Sequence, residues 1–141
     1  MANLTFTEET LGYIAFFQEA TRANVVDCFV DGNRLIFVVR EGDLGKAVGK
    51  GGENVARLRK RMAKEILVVE FSEDPATFCR NVFKAYDVKK VEIEDRDGQT
   101  HATVTVAATE KGRAIGREGR NLKVARDLIA RHHGITSVSV A

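Results

Sequence analysis

The chain has 141 residues, of which 44% are hydrophobic and 30% are charged, and its formal net charge is +2. This composition is typical of a globular protein and excludes a disordered one. The length suits one ordinary domain of ~100 to 200 residues or two very small ones. No apolar run approaches the ~18 residues that span a bilayer, and the first twenty residues lack the Lys or Arg of a secretory signal. We therefore expect a cytoplasmic protein with no membrane partner.

The two cysteines, Cys28 and Cys79, lie far apart in the sequence and form no CxxC pair. Their spacing argues against a disulfide framework and against a zinc site. We expect two buried thiols, no metal and no cofactor.

The first predicted element is a helix. Thr5 and Glu8 form a capping-box pattern at its start. Tyr13, Ile14 and Phe17 follow at a spacing that places them on one helical face. This face is expected to pack on the rest of the module.

A β-hairpin is predicted next. Residues 25–30 and 34–40 are rich in β-forming side chains and flank an Asp-Gly-Asn sequence. Asp-Gly tolerates the positive φ of a tight turn, so this pattern indicates two antiparallel strands. The elements expected after the hairpin are a short helix near 43–48, a glycine cluster, a helix over about 53–64 and a strand at 66–71.

The second half of the chain repeats this order of elements. Asp74 is a predicted N-cap, and Pro75 suits the first helical position because its missing N–H is not needed there. The elements expected after this helix are strands at 88–94 and 101–107 around a turn at Asp97 and Gly98, a glycine cluster, a helix and a strand at 135–140. Both halves have the order α-β-β-α-α-β, so we expect two domains, residues 1–72 and 73–141.

An internal repeat relates the two halves. Residues 45–64 align without gaps with residues 112–131, and seven of the twenty positions are identical, so a duplicated module is the simplest explanation. Residues 46–64 and 111–131 together hold fourteen Lys and Arg against three acidic residues, whereas the remaining chain holds eight against seventeen. One such basic run is usually a solvated helix face, but two runs at matched positions favour two basic patches.

The glycine clusters, Gly49–Gly52 and Gly116–Gly119, each lie between two predicted helices. Glycine permits backbone angles that a Cβ forbids and allows another backbone to approach closely. The helix that follows presents unpaired N–H groups and a partial positive charge, which favour a phosphate. A basic residue fills the second position of each cluster, and another lies one helical turn before it. The pattern therefore favours binding of a phosphodiester backbone, although a glycine turn between helices is also common as scaffold.

Enzymatic readings of these motifs fail. A nucleotide-hydrolysing P-loop needs four residues between its first Gly and the Gly-Lys pair, and a Ser or Thr after the Lys. Only three residues separate Gly45 from Gly49, and Gly51 follows Lys50. The three histidines lie near no nucleophile or carboxylate at a catalytic spacing. We expect no catalytic residue, and hence no enzyme.

The order of elements, the sequences VGKGG and IGREG, and the helices that follow with Asn54 and Asn121 resemble type II KH domains. The resemblance implies an α+β fold, an α/β sandwich in which the helices of each module pack on a three-stranded mixed sheet. Two such modules in so short a chain resemble the archaeal NusA-like transcription factors, and the match covers essentially the whole chain. The implied function is control of transcription elongation or termination through binding of single-stranded RNA, the nascent transcript. RNA polymerase is a candidate second partner, and no small-molecule substrate is implied.

A KH module clamps ~4 nucleotides with its GXXG loop. The resemblance therefore implies two groups of RNA-binding residues, which share a glycine turn, its flanking cations and an apolar residue before it. In the first module these are Lys46, Val48, Gly49, Lys50, Gly51, Gly52, Asn54 and Arg57, with Arg59 and Lys60 as added phosphate contacts. In the second they are Arg113, Ile115, Gly116, Arg117, Glu118, Gly119, Arg120, Asn121 and Lys123.

The two turns are expected to differ in strength. Glu118 stands where the first turn has Gly51, and its carboxylate repels phosphate unless it turns outward or pairs with Arg117 or Arg120. Few aromatic residues lie near either turn in the sequence, so base recognition is expected to depend on aliphatic packing, with Val48 and Ile115 in the groove, and on hydrogen bonds to base edges more than on stacking.

Two other functions use the same sequence features. A ribosomal or ribosome-assembly KH protein would place these turns on structured RNA. A KH-derived protein-interaction module would bind partners through its acidic surface and leave the turns unused.

Overall fold

The computed structural model describes residues 7–141, so Thr5 of the predicted capping box lies outside the described residues. The chain divides into two compact units, one ending at Ser72 and the other beginning at Glu73. Each unit has the order α-β-β-α-α-β, as the sequence predicts.

The elements of the first unit are α1 (Glu8–Thr21), β1 (Val25–Asp31), β2 (Arg34–Val39), α2 (Leu44–Val48), α3 (Glu53–Met62) and β3 (Glu65–Glu70). Those of the second unit are α4 (Pro75–Val82), β4 (Val88–Arg96), β5 (Gln99–Val106), α5 (Lys111–Ile115), α6 (Arg120–His133) and β6 (Ser137–Val140). A single 3-10 turn joins α2 to α3 and another joins α5 to α6.

Each unit contains a three-stranded mixed sheet, as predicted. In the first unit β2 is the middle strand, paired antiparallel with β1 and parallel with β3. In the second unit β5 has the same place between β4 and β6. A parallel pair requires a crossover connection, and the two helices with their glycine turn supply it. The topology therefore places a glycine turn within the crossover of each unit.

Local sequence signals explain where the helices begin and end. Thr7 is the N-cap of α1, and its Oγ1 accepts the backbone N–H of Thr10 at 3.1 Å. Asp74 caps α4 as predicted, since its Oδ2 accepts the backbone N–H of Thr77 at 3.0 Å. Helix α3 ends two residues earlier than predicted because Ala63 adopts a left-handed conformation at its C-cap.

Helices cover one face of each sheet and enclose an apolar core. In the first unit the ring of Phe17 stacks on that of Phe37, with centroids 4.1 Å apart. Tyr13 and Ile14 are partly buried against the same core, in agreement with the predicted face of α1. In the second unit the largest fully buried side chains include Phe78, Phe83, Val104, Leu128 and Ile129.

Both cysteines are buried and neither forms a disulfide within the described chain. Burial raises the pKa of the Cys79 thiol to about 11, so this thiol is not a reactive group at neutral pH. In residues 7–141 no helix is both long and apolar enough to cross a membrane.

Candidate nucleic-acid interface

The first glycine of each turn has the same backbone conformation. Gly49 has φ 77° and ψ 171°, and Gly116 has φ 79° and ψ 170°. A Cβ on Gly49 would lie 2.7 Å from Cγ of Asn54, and one on Gly116 would lie 2.9 Å from Cγ of Asn121. These positions therefore require glycine for two reasons: the backbone has a positive φ, and a Cβ would collide with the asparagine.

The third and fourth positions of both turns adopt the left-handed conformation. Gly51 and Gly52 have φ values of 61° and 77° in the first turn. In the second turn Glu118 and Gly119 have φ values of 56° and 75°. Left-handed backbone costs a residue with a Cβ roughly 1–2 kcal/mol. The second turn therefore carries strain at Glu118 that the first turn lacks.

The side chain of Glu118 is exposed and makes no ion pair within residues 7–141. The pairing with Arg117 or Arg120 that would relieve its repulsion of a phosphate is therefore not made among these residues. The carboxylate remains a negative charge in the turn, which the first module does not have.

An asparagine fixes each turn from the following helix. Nδ2 of Asn54 donates to the backbone carbonyl of Lys46 at 2.8 Å, and Nδ2 of Asn121 donates to that of Arg113 at 2.8 Å. Both bonds span the turn and tie the start of the second helix to the helix before it. The two asparagines expected from sequence as RNA contacts are thus placed as residues that position the turn.

The helix that follows each turn offers backbone donors. Gly52 and Gly119 are the N-caps of α3 and α6, and neither has a side chain that could accept a hydrogen bond from the first N–H groups. These N–H groups and the helix dipole favour an anion at this point. Helix α3 begins with Glu53, whereas α6 begins with Arg120, so the second helix adds a cation where the first adds an acid.

Lys50 and Arg117, at the second position of each turn, are exposed and form no ion pair within the described part of the chain. The cations one helical turn earlier are held by acids. Lys46 Nζ lies 3.9 Å from Asp43 Oδ1, and Arg113 Nη1 lies 2.6 Å from Glu110 Oε2. The cation within each turn is therefore the one whose charge is fully available to a phosphate.

The remaining predicted cations divide into two groups. Arg57 contacts Glu53 and Asn54 at 3.4 and 3.3 Å. Arg59 donates to the backbone carbonyl of Ile66 at 3.1 Å, which holds it against β3. Lys60, Arg120 and Lys123 are, like Arg57 and Arg59, exposed on the surface of the helices.

A groove lies between the helices and β3 of the first unit. It has a volume of about 250 Å³ and is lined by Val48, Gly52, Val55, Arg59 and residues 66–68. It joins the apolar residue before the turn, which the family resemblance places against the bases, with the following helix and a neighbouring strand. Its lining is mainly aliphatic.

The second turn has a cleft of about 400 Å³ beside it, lined by Tyr86, Gly112, Arg113, Gly116, Arg117 and Asn121. Tyr86 is an aromatic residue beside the second turn that the sequence analysis did not single out. It is distant in sequence and reaches α5 through the fold. No local sequence pattern marks this approach.

Comparison with known proteins assigns each of the two units to a family of domains. A model described as a KH domain matches residues 12–73, and one described as a NusA-like second KH domain matches residues 75–140. The chain is therefore a tandem KH protein.

Relatives of similar length show to which family of tandem KH proteins the chain belongs. The probable transcription termination protein NusA of Thermoplasma acidophilum is 34% identical, over 99% of this chain and 97% of that protein. The protein of the same name from Halobacterium salinarum is 33% identical, over 97% of this chain and 98% of that protein. The crystal structure of APE1850 superposes with a TM-score of 0.76 and 36% identity, covering 96% of this chain and 100% of that one. The chain belongs to the archaeal family of NusA-like tandem KH proteins.

Proposed function

We propose that this protein is an RNA-binding transcription elongation and termination factor that holds single-stranded RNA, the nascent transcript, on its two glycine turns. The observation that carries the proposal is the matched geometry of the turns. Both have the same backbone angles, an exposed cation at the second position and a following helix without a side-chain cap. The names of the Thermoplasma and Halobacterium relatives support this role over a ribosomal or a protein-docking one.

Each module would hold the strand by its backbone. The closely approachable glycines and the N–H groups of α3 and α6 would contact phosphates, and Lys50 and Arg117 would neutralise their charge. Bases bound by the first module would lie in the groove against Val48. Bases bound by the second module would pack against Ile115. The asparagines would act indirectly, by keeping the turns in shape.

The proposed contacts are those expected from sequence, apart from Asn54 and Asn121, which hold the turns in shape. The turn residues Gly49 to Gly52 and Gly116 to Gly119 contact the strand. The helix cations Arg57, Arg120 and Lys123 add charge beside it. Residues 1–72 and 73–141 act as two modules that each bind a short stretch.

Three finer points belong to the same proposal. The protein acts as an RNA-binding factor and not as an enzyme, in keeping with its membership of the NusA-like tandem KH family. It acts in the cytoplasm, where the transcript is made. RNA polymerase is its second partner.

Charge reversal in the turns tests the proposal. Replacing Lys50 and Arg117 by Asp should lower affinity for single-stranded oligoribonucleotides by on the order of 10- to 100-fold at low ionic strength. The slope of log affinity against log salt should become shallower by about 1.4, since each lost phosphate contact on a single strand contributes ~0.7.

A matched control is available on β4. Lys90 and Arg96 are exposed and form surface ion pairs with Glu92 and Glu94. Replacing both by Asp changes the net charge by the same amount, away from the turns, and should leave RNA affinity close to that of the unchanged protein. Equal effects of the two double variants, or no effect of the first, would reject the proposed function.

A further inference from the structure

The residues just before β1 in the first unit and just before β4 in the second unit differ. In the first unit the backbone N–H of Arg40 donates to the carbonyl of Asn24 at 2.8 Å. In the second, the N–H of Ala107 donates to the carbonyl of Asp87 at 3.0 Å. Arg40 and Ala107 are separated by the same number of residues as the glycine turns. Asn24 and Asp87 are therefore structurally equivalent.

The residue before each of them is where the units diverge. Ala23 is buried with 2% of its surface exposed. Tyr86 is half-buried and its ring lines the cleft beside the second turn. The second module thus has an aromatic surface next to its glycine turn, and the first has a methyl group that faces the core.

Tyr86 is held in place on two sides. Its ring lies 6.5 Å from that of Phe83, which is 1% exposed. The guanidinium carbon of Arg113 lies over the ring at 5.9 Å from the centroid, and Glu110 holds the same guanidinium. A ring fixed in this way loses little conformational entropy when a ligand stacks on it.

The lining of the cleft indicates the chemistry of its occupant. It contains two arginines, an asparagine, two glycines and one aromatic ring, and no carboxylate. Its volume falls within the ~300 to 1,000 Å³ of sites that bind small molecules. Cations beside an aromatic ring fit a phosphate joined to a planar base, whereas a docked protein segment would require a larger apolar lining.

We propose that this cleft is a nucleotide subsite of the second module, in which a base of the bound RNA stacks on Tyr86 and its phosphate lies between Arg113 and Arg117. The inference rests on the proposed function, because the strand must first lie on the glycine turn. The second module would thus have a stacking contact on the α5 side of its turn, and the first module would not.

Tyrosine fluorescence tests the stacking directly. The sequence contains two tyrosines and no tryptophan, so the Tyr13→Phe variant leaves Tyr86 as the only source of this signal. The probe is an oligoadenylate of about eight nucleotides, twice the ~4 that one KH module clamps. It should quench the fluorescence of Tyr86. An oligomer of the same length that has the sugar-phosphate backbone without bases should not.

Affinity provides a second measurement. Tyr86→Ala should weaken oligoadenylate binding about tenfold, which corresponds to ~1.4 kcal/mol. The salt slope should stay unchanged because no charge is removed. Tyr86→Phe keeps the ring and should bind like the unchanged protein. A thermal melt shows whether Tyr86→Ala is folded, and the quenching experiment does not depend on that variant.

The outcomes separate this inference from the proposed function through Lys50→Asp, which lies outside the cleft. Quenching by oligoadenylate alone, with loss of affinity in Tyr86→Ala and its recovery in Tyr86→Phe, supports the subsite. Unquenched Tyr86 with full affinity in Tyr86→Ala overturns the subsite, and a weakened Lys50→Asp then leaves the proposed function standing. Full affinity in both Tyr86→Ala and Lys50→Asp overturns both.

Discussion

The two glycine turns have the same backbone conformation and differ in the side chains around it. The conformations of Gly51 and Glu118 are nearly the same, with φ 61° and 56°, although one residue has no side chain and the other has a carboxylate. The first module has an aliphatic groove and an uncharged third position, whereas the second has a strained acid and a cleft with an aromatic ring. Backbone geometry is thus the conserved requirement within the repeat, and the chemistry around it is free to diverge.

The backbone conformation that the two turns share is expected to be the feature most sensitive to mutation. Gly49→Ala would place a methyl group against Asn54 in a conformation with positive φ, so it should destabilise the protein by about 2–4 kcal/mol and abolish RNA binding by the first module. Urea denaturation and an RNA titration measure the two effects.

Gly12 provides the matched control for this substitution. It lies in α1 with no atom near its missing Cβ and no positive φ. Gly12→Ala should stabilise the helix by about 0.5–1 kcal/mol. If both Gly→Ala variants behaved alike, the turn would not need the conformation that we describe.

Replacing the asparagine that fixes each turn should have the second-largest effect. Asn54→Ala removes the bond from Nδ2 to the carbonyl of Lys46, so stability should fall by about 1–2 kcal/mol. RNA affinity should fall as well, although no charge changes, because the turn is no longer held. The salt slope separates this from loss of a phosphate contact: it should stay the same in Asn54→Ala and in the equivalent Asn121→Ala.

Glu118 gives the sharpest contrast between the modules. Glu118→Gly should stabilise the protein by about 1 kcal/mol, because the left-handed conformation costs glycine no strain, and the reciprocal Gly51→Glu should destabilise it by a similar amount. Denaturant unfolding of the two variants measures both.

A third variant at this position separates strain from charge. Glu118→Gln removes the negative charge and keeps the strained side chain. It should raise RNA affinity at low salt with little change in stability. A stability gain as large as that of Glu118→Gly would mean that repulsion of charge, and not backbone strain, sets the difference.

The smallest expected effect is the pH dependence of stability that Asp43 gives the first module. The backbone N–H of Asn24 donates to Asp43 Oδ2 at 2.8 Å and lowers the pKa of this carboxyl below its ordinary value. Its stabilising contribution is therefore present above the ordinary pKa and is lost as the pH falls through the lowered one. Asp43→Asn should flatten the acid side of the stability curve measured by thermal melting between about pH 5 and pH 2. A curve that keeps its shape would contradict this assignment.

Much of the fold follows from local sequence signals. The repeat, the hairpin turns and the cap formed by Asp74 and Pro75 predict the α-β-β-α-α-β order and the mixed sheets, because each signal acts within a few residues. The end of α3 was not predictable, since Ala63 adopts a left-handed conformation that its residue type does not favour.

The site was predictable in its turns and not in its surroundings. The glycine clusters and the cations inside them are visible in the repeat, whereas the acceptor of the Asn54 amide depends on how α2 and α3 meet. Tyr86 lies on a different part of the chain from Arg113, and only the fold brings the ring and the guanidinium together. Tertiary placement of this kind leaves no periodic or local trace.

We propose that both turns bind one class of ligand, single-stranded RNA, through the same backbone groups. Amide resonances followed during a titration with single-stranded oligoribonucleotides at low ionic strength test it most directly. We expect the amides of residues 50–52 and 117–119 to shift together, while those at the β4–β5 turn, Asp97 and Gly98, stay in place. Resonances of both glycine turns that do not move as RNA is added would contradict it.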